Sequence, residues 1–86
     1  MVTSSMESKR SAVAKEPDNP GLLRDYGSNL LIVAEVAELA GRKQEACRYT
    51  REAEQTYARL QKVSTLSDYD RDVVTADMPE ALSRLC

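Results

Sequence analysis

Residues 20–63 hold two long stretches of apolar side chains spaced three and four residues apart, with one break at Gly41-Arg42. That spacing places side chains on one face of an α-helix. No segment alternates between apolar and polar residues over a useful length, as a β-strand would. The pattern predicts an all-α fold organised around an antiparallel helical hairpin. The residues expected to face inward are Leu23, Tyr26, Leu30, Val33, Ala34, Ala37 and Gly41 in the first stretch and Ala46, Tyr49, Ala53, Tyr57 and Leu60 in the second.

Prolines, glycines and capping residues set the predicted helix boundaries. Pro17 ends a first helix, because the residue before a proline is pushed out of helical geometry. Asn19 and Pro20 are typical of an N-cap and a first helical position, and Gly41 favours a helix end. Gly27 is costly inside a helix and is expected to permit close approach of a neighbouring helix backbone. The predicted segments are a disordered 1–5, helices over 6–16, 20–40 and 42–63, and a kinked or broken capping helix over 67–85.

The C-terminal stretch has two candidate helix starts. Ser67 can cap a helix that has Asp70 at its third position, and Asp77 with Glu80 forms a second capping box around Pro79. We therefore expect a break or kink between two short helices. The side chains expected to face inward are Leu66, Tyr69, Val73, Val74, Met78, Leu82 and Leu85.

The helix over 20–40 is apolar on more than one side. The residues that lie off its main inward face are Leu22, Leu31, Ile32, Val36 and Leu39. A helix with two apolar faces is normally covered on both. The second face is either core against the N-terminal and C-terminal helices, which is the favoured interpretation, or an exposed strip that marks a partner or self-association surface.

Composition limits what such a chain does. At 86 residues it forms at most one domain, and with no Phe or Trp its core must come from Leu, Val, Ala and Tyr. That supply is thin, so a fragment of a longer array or a self-associating chain is expected. The formal net charge of −2 argues against a nucleic-acid partner. No apolar run is long enough to cross a membrane, and the N-terminus does not read as a signal peptide.

The sequence shows no catalytic or metal-binding set. It contains no histidine and no glycine-rich phosphate loop before a helix, so we expect neither an enzyme nor a cofactor. Asp68-x-Asp70-x-Asp72 resembles the start of a calcium-binding loop. Val73 and Pro79 stand where that loop needs glycine and glutamate, so we expect a negatively charged helix start without a metal.

Cys47 and Cys86 are the two cysteines of the chain. A disulfide between them is geometrically feasible, but their spacing follows no disulfide framework. We expect Cys47 to be a buried free thiol and Cys86 to be a free thiol at the chain end. Free thiols are typical of a reducing cytoplasm, so the predicted location is cytoplasmic.

Several positions fall in the order of a known repeat. Leu23-x-x-Tyr26-Gly27-x-x-Leu30 is similar to the large-x-x-Leu-Gly-x-x-Tyr signature in the first helix of a tetratricopeptide repeat. Further matching positions are Ala46 and Ala53 in the second helix and Ala12, Pro17 and Asp18-Asn19-Pro20 before the first. Over residues 8–60 the chain therefore resembles this family, and the rest resembles a C-terminal capping helix.

The chain also departs from the repeat. About seven extra residues lie between Gly27 and Gly41, which adds about two helical turns to the first helix of the hairpin. Thr50 stands where the repeat usually has an aromatic residue, with Tyr49 beside it. Ala58 replaces the closing proline, so the third helix is expected to continue.

The resemblance implies a scaffold that binds a peptide or protein partner, the chain itself included, through the second helix. The candidate partner-binding residues are Arg24, Ser28, Leu31, Ile32, Glu35, Val36 and Leu39. Arg24 can pair with a partner's carboxylate or remain solvated. The alternative function is a structural cap or homo-oligomerisation element of a longer repeat protein, with no separate ligand. The stretch 57–70 also loosely resembles the end of repeat regions attached to some bacterial serine/threonine kinases.

Overall fold

The computed structural model describes the backbone of residues 2–86 and the side-chain surroundings of residues 7–86. Over this range the chain is all-α, as predicted, and contains no strand. The long helices are α1 (Val2–Lys15), α2 (Pro20–Leu39) and α3 (Lys43–Val63). A C-terminal helical segment, 68–85, follows, in which α4 (Asp68–Asp72), a π-helical turn (Val73–Asp77) and α5 (Met78–Leu85) are continuous.

The α2–α3 hairpin forms the centre of the fold. These two helices make the most extensive contact in the molecule, while α1 packs on α2 and α5 packs on α3. The predicted inward faces are buried, except that Tyr49 is half-buried and Gly41 is exposed. The core consists of Leu, Val, Ala and Tyr side chains, with Met78, packed in two clusters between α2, α3 and their two flanking helices.

The ends of α2 have the predicted chemistry. Asn19 Oδ1 accepts a hydrogen bond from a backbone N–H of the first turn at 3.2 Å. At the other end Gly41 has φ +78°, a conformation that favours glycine. The Arg42 N–H donates to the Ala37 carbonyl at 2.8 Å. This bond spans six residues across a left-handed glycine, so it forms a Schellman motif that ends α2 and turns the chain into α3.

The first helix starts earlier than predicted. The sequence predicts disorder over 1–5 and a helix start at Met6, but the backbone is helical from Val2. Met1 lies outside the described residues. Serine and threonine cost only about 0.5 kcal/mol each in a helix relative to alanine, so propensity alone does not stop α1 in its first turn.

The capping box predicted at Asp77 is wrong, and the predicted break or kink takes the form of a wider helical turn. Asp77 keeps helical dihedral angles, φ −66° and ψ −45°, and its side chain caps nothing. Instead the Met78 N–H donates to the Val73 carbonyl five residues earlier, which is the bond of a π-helical turn. Pro79 lacks an N–H, and its ring would clash with the carbonyl four residues earlier in a regular α-helix. The wider turn accommodates the proline, so the helix continues.

The predicted orientation of Tyr69 is also wrong. Tyr69 is 74% exposed, whereas Asp70 is only 2% exposed. Ser67 Oγ accepts a hydrogen bond from the Asp70 N–H at 3.2 Å, which confirms the predicted N-cap. In the resulting helix Asp70 shares the inward face with Val73. A carboxylate is tolerated there because the Arg24 guanidinium lies 2.7 Å from it.

The two cysteines form a disulfide, contrary to the predicted free thiols. Because α5 packs on α3, Cys86 lies beside the first turns of α3, with its Cα 5.3 Å from the Cα of Cys47. Helix packing brings together residues that are 39 positions apart, so no local spacing reveals the pair. Disulfides persist mainly in oxidising compartments, and the cytoplasmic prediction therefore loses the support that free thiols gave it.

Gly27 faces the ring of Tyr57 across the hairpin. A Cβ atom added at Gly27 would lie 2.8 Å from Tyr57 Cε2. The close approach predicted for this glycine therefore occurs, but the approaching group is an aromatic ring and not a helix backbone. Tyr57 is 2% exposed, so its ring has little room to move away.

We expect Gly27→Ala to lower the free energy of unfolding by about 1 kcal/mol. Overpacking costs about 1–3 kcal/mol, which exceeds the gain of about 1 kcal/mol in helix propensity. Gly21→Ala in the same helix is the control, because its nearest neighbour would be 3.4 Å away, and it should stabilise slightly. Urea unfolding measures both variants. A stability gain of the same size in Gly27→Ala and Gly21→Ala would show that the Tyr57 ring moves aside to make room for the added methyl group.

Candidate partner-binding groove

Two ion pairs connect α2 to the C-terminal helical segment. Arg24 Nε lies 2.7 Å from Asp70 Oδ2, and Arg84 donates to both carboxylate oxygens of Glu38, at 2.7 and 3.1 Å. The partners of each pair are 46 residues apart, so the two segments run in the same direction. Along α2 the two pairs are 14 positions apart, from 24 to 38, which corresponds to about 21 Å of helix.

A groove of about 430 Å³ lies between these two segments. Among the described residues, the backbones of α2 and the C-terminal segment make no extensive contact with each other, while both flank α3. Buried side chains such as Thr50 and Tyr57 of α3 form the floor. The full lining consists of Ser28, Leu31, Ile32, Ala34, Glu35, Glu38, Thr50, Tyr57, Tyr69, Val73, Asp77, Ala81, Arg84 and Leu85.

The groove brings together four of the seven predicted partner-binding residues. Ser28, Leu31, Ile32 and Glu35 line its α2 wall. Arg24 is held instead in an ion pair inside the chain, at one end of the groove. Its guanidinium is therefore already committed to a carboxylate of the same molecule.

The remaining predicted residues, Val36 and Leu39, lie outside the groove. Together with Ile32 at the edge of the groove they form an apolar strip on α2, and we call Ile32, Val36 and Leu39 the outer strip. Leu39 is 82% exposed, and Ile32 and Val36 are each 50% exposed. Leu31 is half-buried and packs against the core. The favoured core interpretation is thus wrong for the outer strip, because neither α1 nor the C-terminal segment covers that side of α2.

Sequence reasoning missed the second wall of the groove. Tyr69, Val73, Asp77 and Ala81 line it at intervals of four residues, the spacing of one helical face. The spacing of these four residues is visible in the sequence. The sequence does not show that this face lines a groove, because Tyr69 and Val73 are apolar and resemble core residues until the neighbouring helices are placed.

The floor of the groove is electrically neutral. Burial raises the pKa of Tyr57 to about 12, and the nearby Asp70 carboxylate and Tyr69 add to the shift while Arg24 opposes it. At the far end, the hydrogen bond from Arg84 lowers the pKa of Glu38 below its ordinary value of 4.5. A partner in the groove therefore meets an uncharged phenol below it and, at that end, a carboxylate that already has a counter-ion.

The raised pKa of Tyr57 predicts a loss of stability in alkali. Above about pH 10 the tyrosine of the unfolded chain ionises, while the folded one stays neutral up to about pH 12. The stability that Tyr57 contributes is therefore present below pH 10 and is lost as the pH rises towards 12. Urea midpoints between pH 8 and 11 should fall more steeply for the wild type than for Tyr57→Phe. Parallel curves for the two proteins would contradict this expectation.

Three further observations concern metal ions, membranes and known proteins. Within the described part of the chain, no three His, Cys, Asp or Glu side chains are grouped so that they would hold a metal ion. None of the helices between residues 2 and 86 has the length and apolar content needed to cross a membrane. Comparison of the chain with known protein families, curated proteins and solved structures finds no match. The interpretation of the groove therefore rests on its geometry.

Proposed function

We propose that the chain is a protein–protein interaction module that holds a segment of a partner protein in the groove between α2 and the C-terminal helical segment. One observation carries this proposal: two parallel helices stand apart over a shared floor and leave apolar side chains in the opening. Ile32 on one wall is 50% exposed and Tyr69 on the other is 74% exposed. Half-open apolar grooves between helices are a common way to bind peptides.

The resemblance to tetratricopeptide repeats supports the same function. In that family the first helices of successive repeats line the surface that contacts a partner. Here α2 is the candidate first helix, and the C-terminal segment stands parallel to it across the groove. The proposal involves no catalytic step, in keeping with a chain that has no histidine.

The proposal is tested by selecting binders from a phage-displayed library of random 16-residue peptides. We expect Tyr69→Ala to weaken the binding of selected peptides about tenfold, because exposed aromatic side chains dominate such contacts. Val63→Ala is the control, since Val63 is 38% exposed at the end of α3 and does not line the groove. Failure to select any peptide, or selected peptides that bind Tyr69→Ala as tightly as the wild type, would overturn the proposal.

The outer strip supports a second function, self-association as a structural or oligomerisation element. Its three side chains project from one face of α2, and Leu39 is the most exposed large apolar residue in the described chain. Light scattering at several concentrations of wild type and Leu39→Glu separates the two functions, because Leu39 lies outside the groove. A wild-type dimer that becomes a folded monomer on substitution would favour self-association. A monomeric wild type would exclude it.

A further inference from the structure

We propose that the groove selects a partner segment that carries lysine or arginine among its apolar side chains. This inference rests on the proposed function and specifies the partner's chemistry. Its basis is a pair of carboxylates, Glu35 on the α2 wall and Asp77 on the opposite wall. Both side chains are exposed and line the same opening.

These two carboxylates have no counter-ion of their own. Among the described residues, the other two carboxylates that link the walls are neutralised, Glu38 by Arg84 and Asp70 by Arg24. Neither Glu35 nor Asp77 takes part in any of the six ion pairs in that part of the chain. The groove therefore has ends closed by ion pairs and an uncompensated negative charge between them.

The two ion pairs fix the alignment of the two walls of the groove. On the α2 wall Leu31 precedes Glu35 by four residues, and on the opposite wall Val73 precedes Asp77 by four. The two walls run in the same direction and both ion pairs join residues 46 positions apart, so Asp77 lies at the level of Leu31, and Glu35 lies four residues further along, at the level of Ala81. Four residues of helix correspond to about 6 Å. The two carboxylates are therefore staggered by about that distance along the groove, and a matching partner places its basic groups next to its apolar anchors.

Charge complementarity favours this occupant over others. A cation between Glu35 and Asp77 is attracted by both walls, while an acidic segment or a nucleic-acid phosphate is repelled by both. An entirely apolar segment would fill the space beside Leu31 and Val73 but would cover two carboxylates without a partner. Burying unpaired charges opposes binding. The arrangement thus selects for basic residues in addition to providing apolar contact.

The test compares two double variants that remove the same charge. Glu35→Gln/Asp77→Asn alters the groove, and Glu16→Gln/Asp18→Asn alters two exposed residues at the α1–α2 turn. Peptides selected on the wild type from the phage-displayed 16-residue library should contain Lys or Arg beside apolar residues. We expect them to bind the groove variant at least tenfold more weakly and the control variant unchanged. Circular dichroism checks that both variants remain folded, as expected for exposed, nearly isosteric substitutions.

Different outcomes separate this inference from the proposed function. Selected peptides without basic residues, or equal weakening in both double variants, would overturn the proposed cation preference. If Tyr69→Ala weakens binding while Glu35→Gln/Asp77→Asn does not, the groove binds peptides but does not select them by charge, and only the cation preference is overturned. If no peptide is selected at all, both the groove's function and its specificity fail together.

Discussion

Reduction of the disulfide between Cys47 and Cys86 is expected to lower the free energy of unfolding by about 4 kcal/mol. The bond closes a loop between residues 39 positions apart, and the chain-entropy relation gives about 4 kcal/mol for a loop of that length. An 86-residue domain typically has only about 4–13 kcal/mol of stability in total. Urea unfolding with and without a phosphine reductant measures the difference.

A serine variant at the chain end provides the control. Cys86 is exposed, so Cys86→Ser removes the bond without leaving a cavity. It should be as unstable as the reduced wild type and should not respond to the reductant. Because Arg84 and Leu85 line the groove next to Cys86, peptide binding should weaken in parallel. Equal stability of the oxidised, reduced and serine forms would show that the bond does not constrain the chain.

Substitution of Arg24 by glutamine is expected to cost about 2–3 kcal/mol. It leaves the Asp70 carboxylate, which is 2% exposed, without its counter-charge. Breaking a fully buried ion pair costs about 3–5 kcal/mol, and the cost here should be smaller because the Arg24 side chain is 45% exposed. Urea unfolding at neutral pH measures the loss.

An exposed ion pair nearby gives a matched comparison. Arg71 lies 4.0 Å from Asp68, and both side chains are largely in water. Arg71→Gln should therefore change stability by less than about 0.5 kcal/mol. The double variant Arg24→Gln/Asp70→Asn should recover part of the loss, because it also removes the stranded charge. If Arg24→Gln lowers the free energy of unfolding as little as Arg71→Gln does, the Arg24–Asp70 pair does not stabilise the fold as proposed.

The helical hairpin was predictable because its signals are local. The apolar period of α2 and α3 identified the buried faces, and α2 begins at Pro20 and α3 ends at Val63 as predicted. Capping needs only side chains within a few residues, so Asn19 and Ser67 were recognisable as caps. Half of the groove was predictable for the same reason, since its α2 wall is one face of one helix.

The errors share a different cause. Asp70 is buried in place of Tyr69 because Arg24, 46 residues earlier than Asp70, supplies the charge that permits burial of the carboxylate. The outer strip is exposed because the neighbouring helices pack elsewhere on α2. At Pro79 the sequence did indicate a disturbance, but whether the helix breaks or widens depends on the backbone around it.

By itself the sequence determined the fold class, the three long helices and the caps that shape α2, since each depends on interactions within a few residues. Tertiary structure alone decided that Cys47 meets Cys86, that Asp70 is buried, and that Glu35 and Asp77 face one opening. Each of these depends on contacts between residues about 40 positions apart. Such contacts form only when whole helices pack, and packing follows the fit of complete faces, which no short stretch of sequence contains.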